Sequence, residues 1–136
     1  MGYTSAMGMN DTQIGGCMCG KVRFRVTPPY KGIISCHCKQ CQRLHGNYNP
    51  LLIAEKVNFS FTSGETDVQW FNSSADSERG FCKTCGSQMF KRDKTGPKMK
   101  MSVGSLDDTS GLKTVKNVGL ESKGDYYVMP PESKAE

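Results

Sequence analysis

Cys17-Met18-Cys19-Gly20, Cys36-His37-Cys38-Lys39-Gln40-Cys41 and Cys82-Lys83-Thr84-Cys85-Gly86 contain all seven cysteines of a 136-residue chain. An odd number of thiols, grouped too closely to cross-link distant segments, makes a poor disulfide framework. In a reducing compartment such groups are metal-binding or catalytic, and clustered thiolates suit tetrahedral zinc. A Cys-x-x-Cys turn sets two sulfurs about one ion. A Cys-x-Cys pair presents both on one face of an extended chain, because side chains alternate with period two. Two zinc ions per chain and a cytoplasmic address are therefore expected.

Glycines divide the ligands. Cys19 precedes Gly20 and Cys85 precedes Gly86, whereas Cys41 precedes Gln42. A glycine after the second thiolate permits positive φ and lets the backbone aim an N–H at sulfur. Cys17, Cys19, Cys82 and Cys85 are thus expected to share a closed structural zinc, with Ser87 supporting its loop. Cys36, Cys38 and Cys41 then form a tripod on a second zinc, whose fourth position is free for chemistry unless a side chain fills it. Two alternatives stand at this stage. His45, four residues after Cys41, would share its side of a helical turn and could be that fourth ligand; His37, between two metal-facing cysteines, should point away. Or Cys38 and Cys41 pair with Cys82 and Cys85 as a zinc ribbon.

Outward from the cysteines, short strand signals dominate: Val22 to Val26, Ile33-Ile34, Tyr48 to Ile53, Val57 to Phe61, Val68 to Phe71, Met89 to Arg92 and Lys98 to Val103. Tyr126 to Met129 is read as the strand that closes the sheet. One helix is expected, Lys39 to His45. Turns fall at Pro28-Pro29, Ser63-Gly64, Gly96-Pro97 and Ser110-Gly111. The class is mostly β, with metal at the hairpin tips. Residues 13–129 are read as one domain, 1–12 as a flexible end or expression remnant, and 130–136 as a flexible tail.

The formal charge is +5, from 18 basic and 13 acidic residues. Seven thiolates carrying two divalent ions would lower it to +2. The basic residues are scattered; the densest group, Lys91, Arg92 and Lys94, reads as a solvated hairpin face, which argues against a nucleic-acid surface. No apolar run approaches the ~18 residues of a membrane span.

The phrases Gly16-Cys17-x-Cys19-Gly20-x-Val22-x-Phe24, Cys36-His37-Cys38-x-x-Cys41-Gln42-Arg43, Phe81-Cys82-x-x-Cys85-Gly86-Ser87 and Val103-Gly104-Ser105-Leu106-Asp107-Asp108 resemble those of the glutathione-dependent formaldehyde-activating enzyme (GFA) family, over about Gly15 to Asp108. The resemblance implies a β-tent fold, small antiparallel sheets pinned by a structural zinc, and the same division of ligands, with Cys36, Cys38 and Cys41 holding a catalytic zinc. It also implies a carbon–sulfur lyase activity, the reversible joining of glutathione and formaldehyde. The C-terminal stretch Asn117 to Tyr127 departs from the family pattern, which places a His and a Trp around its last strand.

A formally −1 three-thiolate zinc disfavours bound hydroxide compared with a three-histidine site. A soft thiol such as glutathione suits the open position better, its sulfur then attacking an aldehyde. His37 and His45 are candidate proton donors, and Arg43 a candidate partner for a glutathione carboxylate. Rival readings are a zinc-stapled glutathione-binding or interaction module without turnover, and a zinc-ribbon nucleic-acid binder.

Overall fold

The computed structural model describes residues 10–134. Among the described residues ten strands run in the order β1 (Gln13–Gly16), β2 (Arg23–Val26), β3 (Ile33–Cys36), β4 (Asn49–Glu55), β5 (Phe59–Ser63), β6 (Val68–Asn72), β7 (Ser77–Cys82), β8 (Gln88–Asp93), β9 (Lys98–Ser102) and β10 (Thr114–Val118), with one α-helix. That helix, α1 (Lys39–His45), follows β3. It occupies the residues expected from the sequence. β1, β2 and β5 make a three-stranded sheet; the other seven are ordered β10-β3-β4-β9-β8-β7-β6. All pairings are antiparallel except β10 with β3.

The two sheets close on one core. Val22, Phe24 and Val26 meet Leu52, Ala54, Phe90, Met99 and Met101, all buried. Phe24 stacks on Phe59 at 5.4 Å and meets Phe90 edge-on at 5.3 Å, aromatic geometries that add to simple burial. Strand alternation leaves the large sheet a second face, on which Cys36, Arg79, Lys91 and Lys100 fall. α1 packs over that face against β4.

Three strands were not expected. β1 holds two glycines and β7 reads Ser-Glu-Arg-Gly-Phe-Cys, both poor in strand formers. Their glycines serve packing. A Cβ on Gly80 would lie 3.0 Å from the Trp70 ring, and one on Gly15 would lie 2.2 Å from the Ser105 carbonyl oxygen. The closing strand is β10, parallel to β3, and not Tyr126 to Met129, which forms no strand. A lone parallel edge strand carries no hairpin signal. Part of the expected tail is also engaged: the Ser133 amide donates to Thr114, and the Pro130 carbonyl accepts from Asn117 Nδ2. Most of the expected N-terminal end lies outside the described residues; Asp11 within it accepts from the Tyr30 hydroxyl at 2.6 Å.

Gly15→Ala should lower stability by about 1–3 kcal/mol, because backbone, not a flexible side chain, blocks the methyl. Gly104→Ala, whose added carbon meets nothing within 4 Å, should change it by less than about 0.5 kcal/mol. Denaturant unfolding of the two variants checks the contrast.

Candidate metal centres

The hairpin turns after β1 and β7 bring four sulfurs together. Cys17, Cys19, Cys82 and Cys85 have Sγ atoms all within 4.8 Å of one another. Cys17 and Cys19 lie 3.5 Å apart, and Cys19 and Cys82 3.8 Å. Tetrahedral zinc with sulfur at 2.3 Å requires about 3.8 Å between sulfurs, so the set fits such an ion. Gly20 and Gly86 have φ of +83° and +80°, with open space where a Cβ would lie. Conformation, not crowding, therefore selects glycine there. Their own amides bond to the carbonyls of Cys17 and Cys82. The next amides, of Lys21 and Ser87, reach the sulfurs of Cys19 and Cys85. Cys17 Sγ accepts from the Val22 amide at 3.3 Å. Ser87 Oγ lies 3.2 Å from Cys85 Sγ and accepts from the Met18 amide at 3.0 Å, linking the two turns. These bonds from Ser87 bring the Cys85 thiol down to about 5.

Cys36, Cys38 and Cys41 form a separate group within 4.8 Å. Cys36 ends β3, Cys38 caps α1 by accepting from the Cys41 amide at 3.4 Å, and Cys41 is fully buried on the inner side of α1. The ribbon pairing of Cys38 and Cys41 with Cys82 and Cys85 is not formed. A hydrogen bond from Cys41 draws the Cys36 thiol down to about 5 despite burial, and the same bond with burial pushes Cys41 up. One thiol holds the proton and its neighbour the negative charge, an arrangement a divalent ion would replace. Cys36 and Cys38 remain half-exposed, so the group is open on their side.

His45 does not join these sulfurs. It is partly buried under α1, and burial, with the nearby Arg79 charge, brings its imidazole down to about 4. His37 is fully buried and points away from the group, as its place between two ligands predicts. Its Nε2 bonds Asn117 Oδ1 at 2.7 Å and its Nδ1 bonds the Tyr127 hydroxyl at 2.8 Å. Asn117 Nδ2 donates to Pro130, which fixes the amide and makes Nε2 the protonated nitrogen. With both nitrogens engaged inside the protein, His37 is a holding group and not a proton donor. The stretch Asn117 to Tyr127 closes over this group. A Cβ on Gly119 (φ +69°) would meet the Cys38 amide nitrogen at 2.8 Å. Gln42 Nε2 spans the carbonyls of His37 and Ser122 at 2.9 and 2.6 Å.

Sequence reasoning missed Arg79. It is 2% exposed, donates from Nε to Gln40 Oε1 at 3.0 Å, and sets Nη2 3.5 Å from Cys41 Sγ. A charged residue beside a glycine in β7 gave no sign of facing inward; only the pairing of β7 with β6 and β8 shows it. Arg43 lies exposed on the outer side of α1 with Lys39. Nor are Lys91, Arg92 and Lys94 one solvated face. Arg92 stacks 3.6 Å over Trp70 and pairs with Glu78, while Lys91, one residue away, faces the Cys36 side. A groove of about 580 Å³ runs from Cys17, Met18 and Ser87 of the four-sulfur side to His45, Tyr48 and Asn49, the cross-strand partner of Cys36; Cys36, Cys38 and Cys41 do not themselves line it.

The family model for glutathione-dependent formaldehyde-activating enzymes matches residues 12–121. The chain belongs to the GFA family. A Halomonas elongata protein, named provisionally as such an enzyme, is 27% identical over 125 residues, covering 82% of this chain and 77% of that protein. The crystal structure of a Rhodobacter sphaeroides protein superposes with a TM-score of 0.58 at 20% identity, covering 69% of this chain and 87% of that one; it speaks for the shared fold. Among the described residues of this GFA-family chain, no helix is long and apolar enough to cross a membrane.

Metal analysis should find about two ions per chain in the wild type and about one in Cys36→Ser with the fold retained, whereas Cys82→Ser should unfold. Separately, the folded state takes up fewer protons at His45 than the unfolded chain between its ordinary 6.5 and about 4. Stability should therefore fall as pH drops through that window. The slope should be shallower in His45→Gln, and the difference between the two proteins isolates the imidazole from the thiolates. Ring-proton NMR of His45 should titrate near 4.

Proposed function

We propose that this GFA-family protein is a zinc-dependent carbon–sulfur lyase that joins a thiol such as glutathione to an aldehyde such as formaldehyde, and reverses that step. In this reading Cys17, Cys19, Cys82 and Cys85 hold a structural zinc, and Cys36, Cys38 and Cys41 a catalytic one, in the cytoplasm. The observation that carries it is the second group: three sulfurs gathered by one short turn, Cys36 and Cys38 half-exposed and Cys41 buried, with neither histidine among them.

When bound there, zinc supplies a soft fourth position that favours a thiol as its thiolate. The remaining work falls to the chain. Arg79 holds Cys41 Sγ and offsets the excess negative charge of three thiolates. Gln40, anchoring Arg79, and Gln42, anchoring the 119–123 turn, keep α1 seated so that Cys38 and Cys41 stay in register with Cys36. His37, Asn117 and Tyr127 clamp the chain behind the tripod and exclude water from its inner side. In the reaction the thiol sulfur forms a bond to the aldehyde carbon, the carbonyl π pair moves to oxygen, and the proton lost by the thiol ends on that oxygen. The product is an S-hydroxymethyl adduct when the aldehyde is formaldehyde.

Zinc-edge absorption should gain sulfur scattering when glutathione is added, and no gain would remove thiol binding at the tripod. Exchange between glutathione and its formaldehyde adduct should exceed the spontaneous rate. In Cys38→Ser it should return to that background while circular dichroism stays native. Binding without excess exchange would leave a glutathione-binding module in place of an enzyme.

A further inference from the structure

Cross-strand register stacks three cations beside the tripod. Arg79 on β7 lies directly opposite Lys91 on β8, and Lys91 directly opposite Lys100 on β9. Such partners share a sheet face with Cβ atoms about 5 Å apart, and like charges so placed repel. All three are at least partly buried. Elsewhere the fold matches its charges: Arg23 with Asp107, Arg92 with Glu78 and Lys98 with Glu55. Asp93 lies near enough to act on Lys100, but its Oδ2 already accepts from the Lys98 amide.

The row faces the tripod. Lys91 acts on the Cys36 thiol, and Lys100 feels both Cys36 and Arg79. Counting charge decides what it is for. Three thiolates on a divalent ion leave one negative charge, and Arg79, in contact with Cys41, cancels it. Lys91 and Lys100 remain as two half-buried cations in excess, beside an opening at Cys36 and Cys38. A neutral thiol would leave them repelling each other. A thiol that also carries a carboxylate would supply the missing anion, and lysine ammonium groups suit such a contact as strong, charge-assisted donors.

We propose that Lys91 and Lys100, backed by Arg79, form an anion subsite that seats a carboxylate of the thiol held at the tripod. The substrate class is then carboxylate-bearing thiols, and the specificity-determining residues are these lysines rather than the exposed Arg43. The inference rests on the thiol-binding reading above, and its test separates the two.

Three probes are titrated calorimetrically into the metal-loaded protein: glutathione, glutathione diethyl ester, which lacks both carboxylate charges but keeps the ammonium, and S-methylglutathione, which keeps the carboxylates but blocks the sulfur. Wild type should prefer glutathione over the ester by about tenfold, and Lys91→Gln and Lys100→Gln should each erase most of that preference. Lys113→Gln, on the opposite side of the sheet order, should keep it. S-methylglutathione should bind weakly and lose affinity in both lysine variants. Equal affinity for acid and ester, or a preference that survives both substitutions, would overturn the subsite. If glutathione binds no better than S-methylglutathione but both depend on the lysines, the tripod reading fails and the anion subsite stands. If neither binds, the subsite falls.

Discussion

Four sulfurs from two hairpin turns, sixty-three residues apart between Cys19 and Cys82, set the architecture. The chain closes a large loop to bring them together, and loop closure costs entropy that grows only slowly with length. A zinc ion in such a set contributes on the order of 10 kcal/mol, enough to dominate the stability of a domain of this size. The consequence reaches beyond the turns. Fixing the β1–β2 hairpin to the β7–β8 hairpin lays the small sheet across the large one and seals Phe24 against Phe90. That commits one face of the large sheet to the core and leaves its other face for α1 and the second cysteine group.

The two cysteine groups use the same chemistry to opposite ends. Around the first, amides from Val22, Lys21 and Ser87 aim at sulfur and the Ser87 hydroxyl adds a further contact, so thiolate charge is met on several sides by neutral donors. Such a shell stabilises charge without inviting a ligand. Around the second, a full cation stands against the innermost sulfur and the outer two are left half-exposed. The difference lies in where the backbone goes. A glycine at positive φ folds the chain back over Cys19 and Cys85, whereas after Cys41 the chain continues as helix, and the amides that reach this group's sulfurs, Cys41 to Cys38 and Cys38 to Cys36, come from within the turn itself.

Much of this was legible in the residues. Cysteine spacing and the glycines after Cys19 and Cys85 separated two groups before any coordinates, because ligand spacing and positive φ are local properties. α1 was legible for the same reason. What escaped was non-local. Arg79 sits in a segment whose charge and glycine suggest solvent, and only the pairing β6-β7-β8 turns it inward. Lys91 and Arg92 look like one basic patch, yet adjacent strand residues face opposite sides, and the two have different partners. β10 hides because a parallel edge strand has no turn beside its partner to announce it. Tyr127 was read into a closing strand when its role is a hydroxyl delivered to His37.

That last contact bears on how the second group is held. His37 is locked by Tyr127 on one nitrogen and by Asn117 on the other, and Asn117 is locked in turn by Pro130. Gly119, packed against Cys38, and Ser122, held by Gln42, belong to the same stretch. Residues 117–130 therefore act as a strap over the Cys36–Cys41 turn. A buried polar network of this kind is stable only when every member is satisfied, so changing one link should disturb all of them together. A substitution in this stretch would thus alter how the tripod is held without touching a single sulfur. A change in the strap can then alter how the second group is held while the four-sulfur clasp that organises the fold stays untouched.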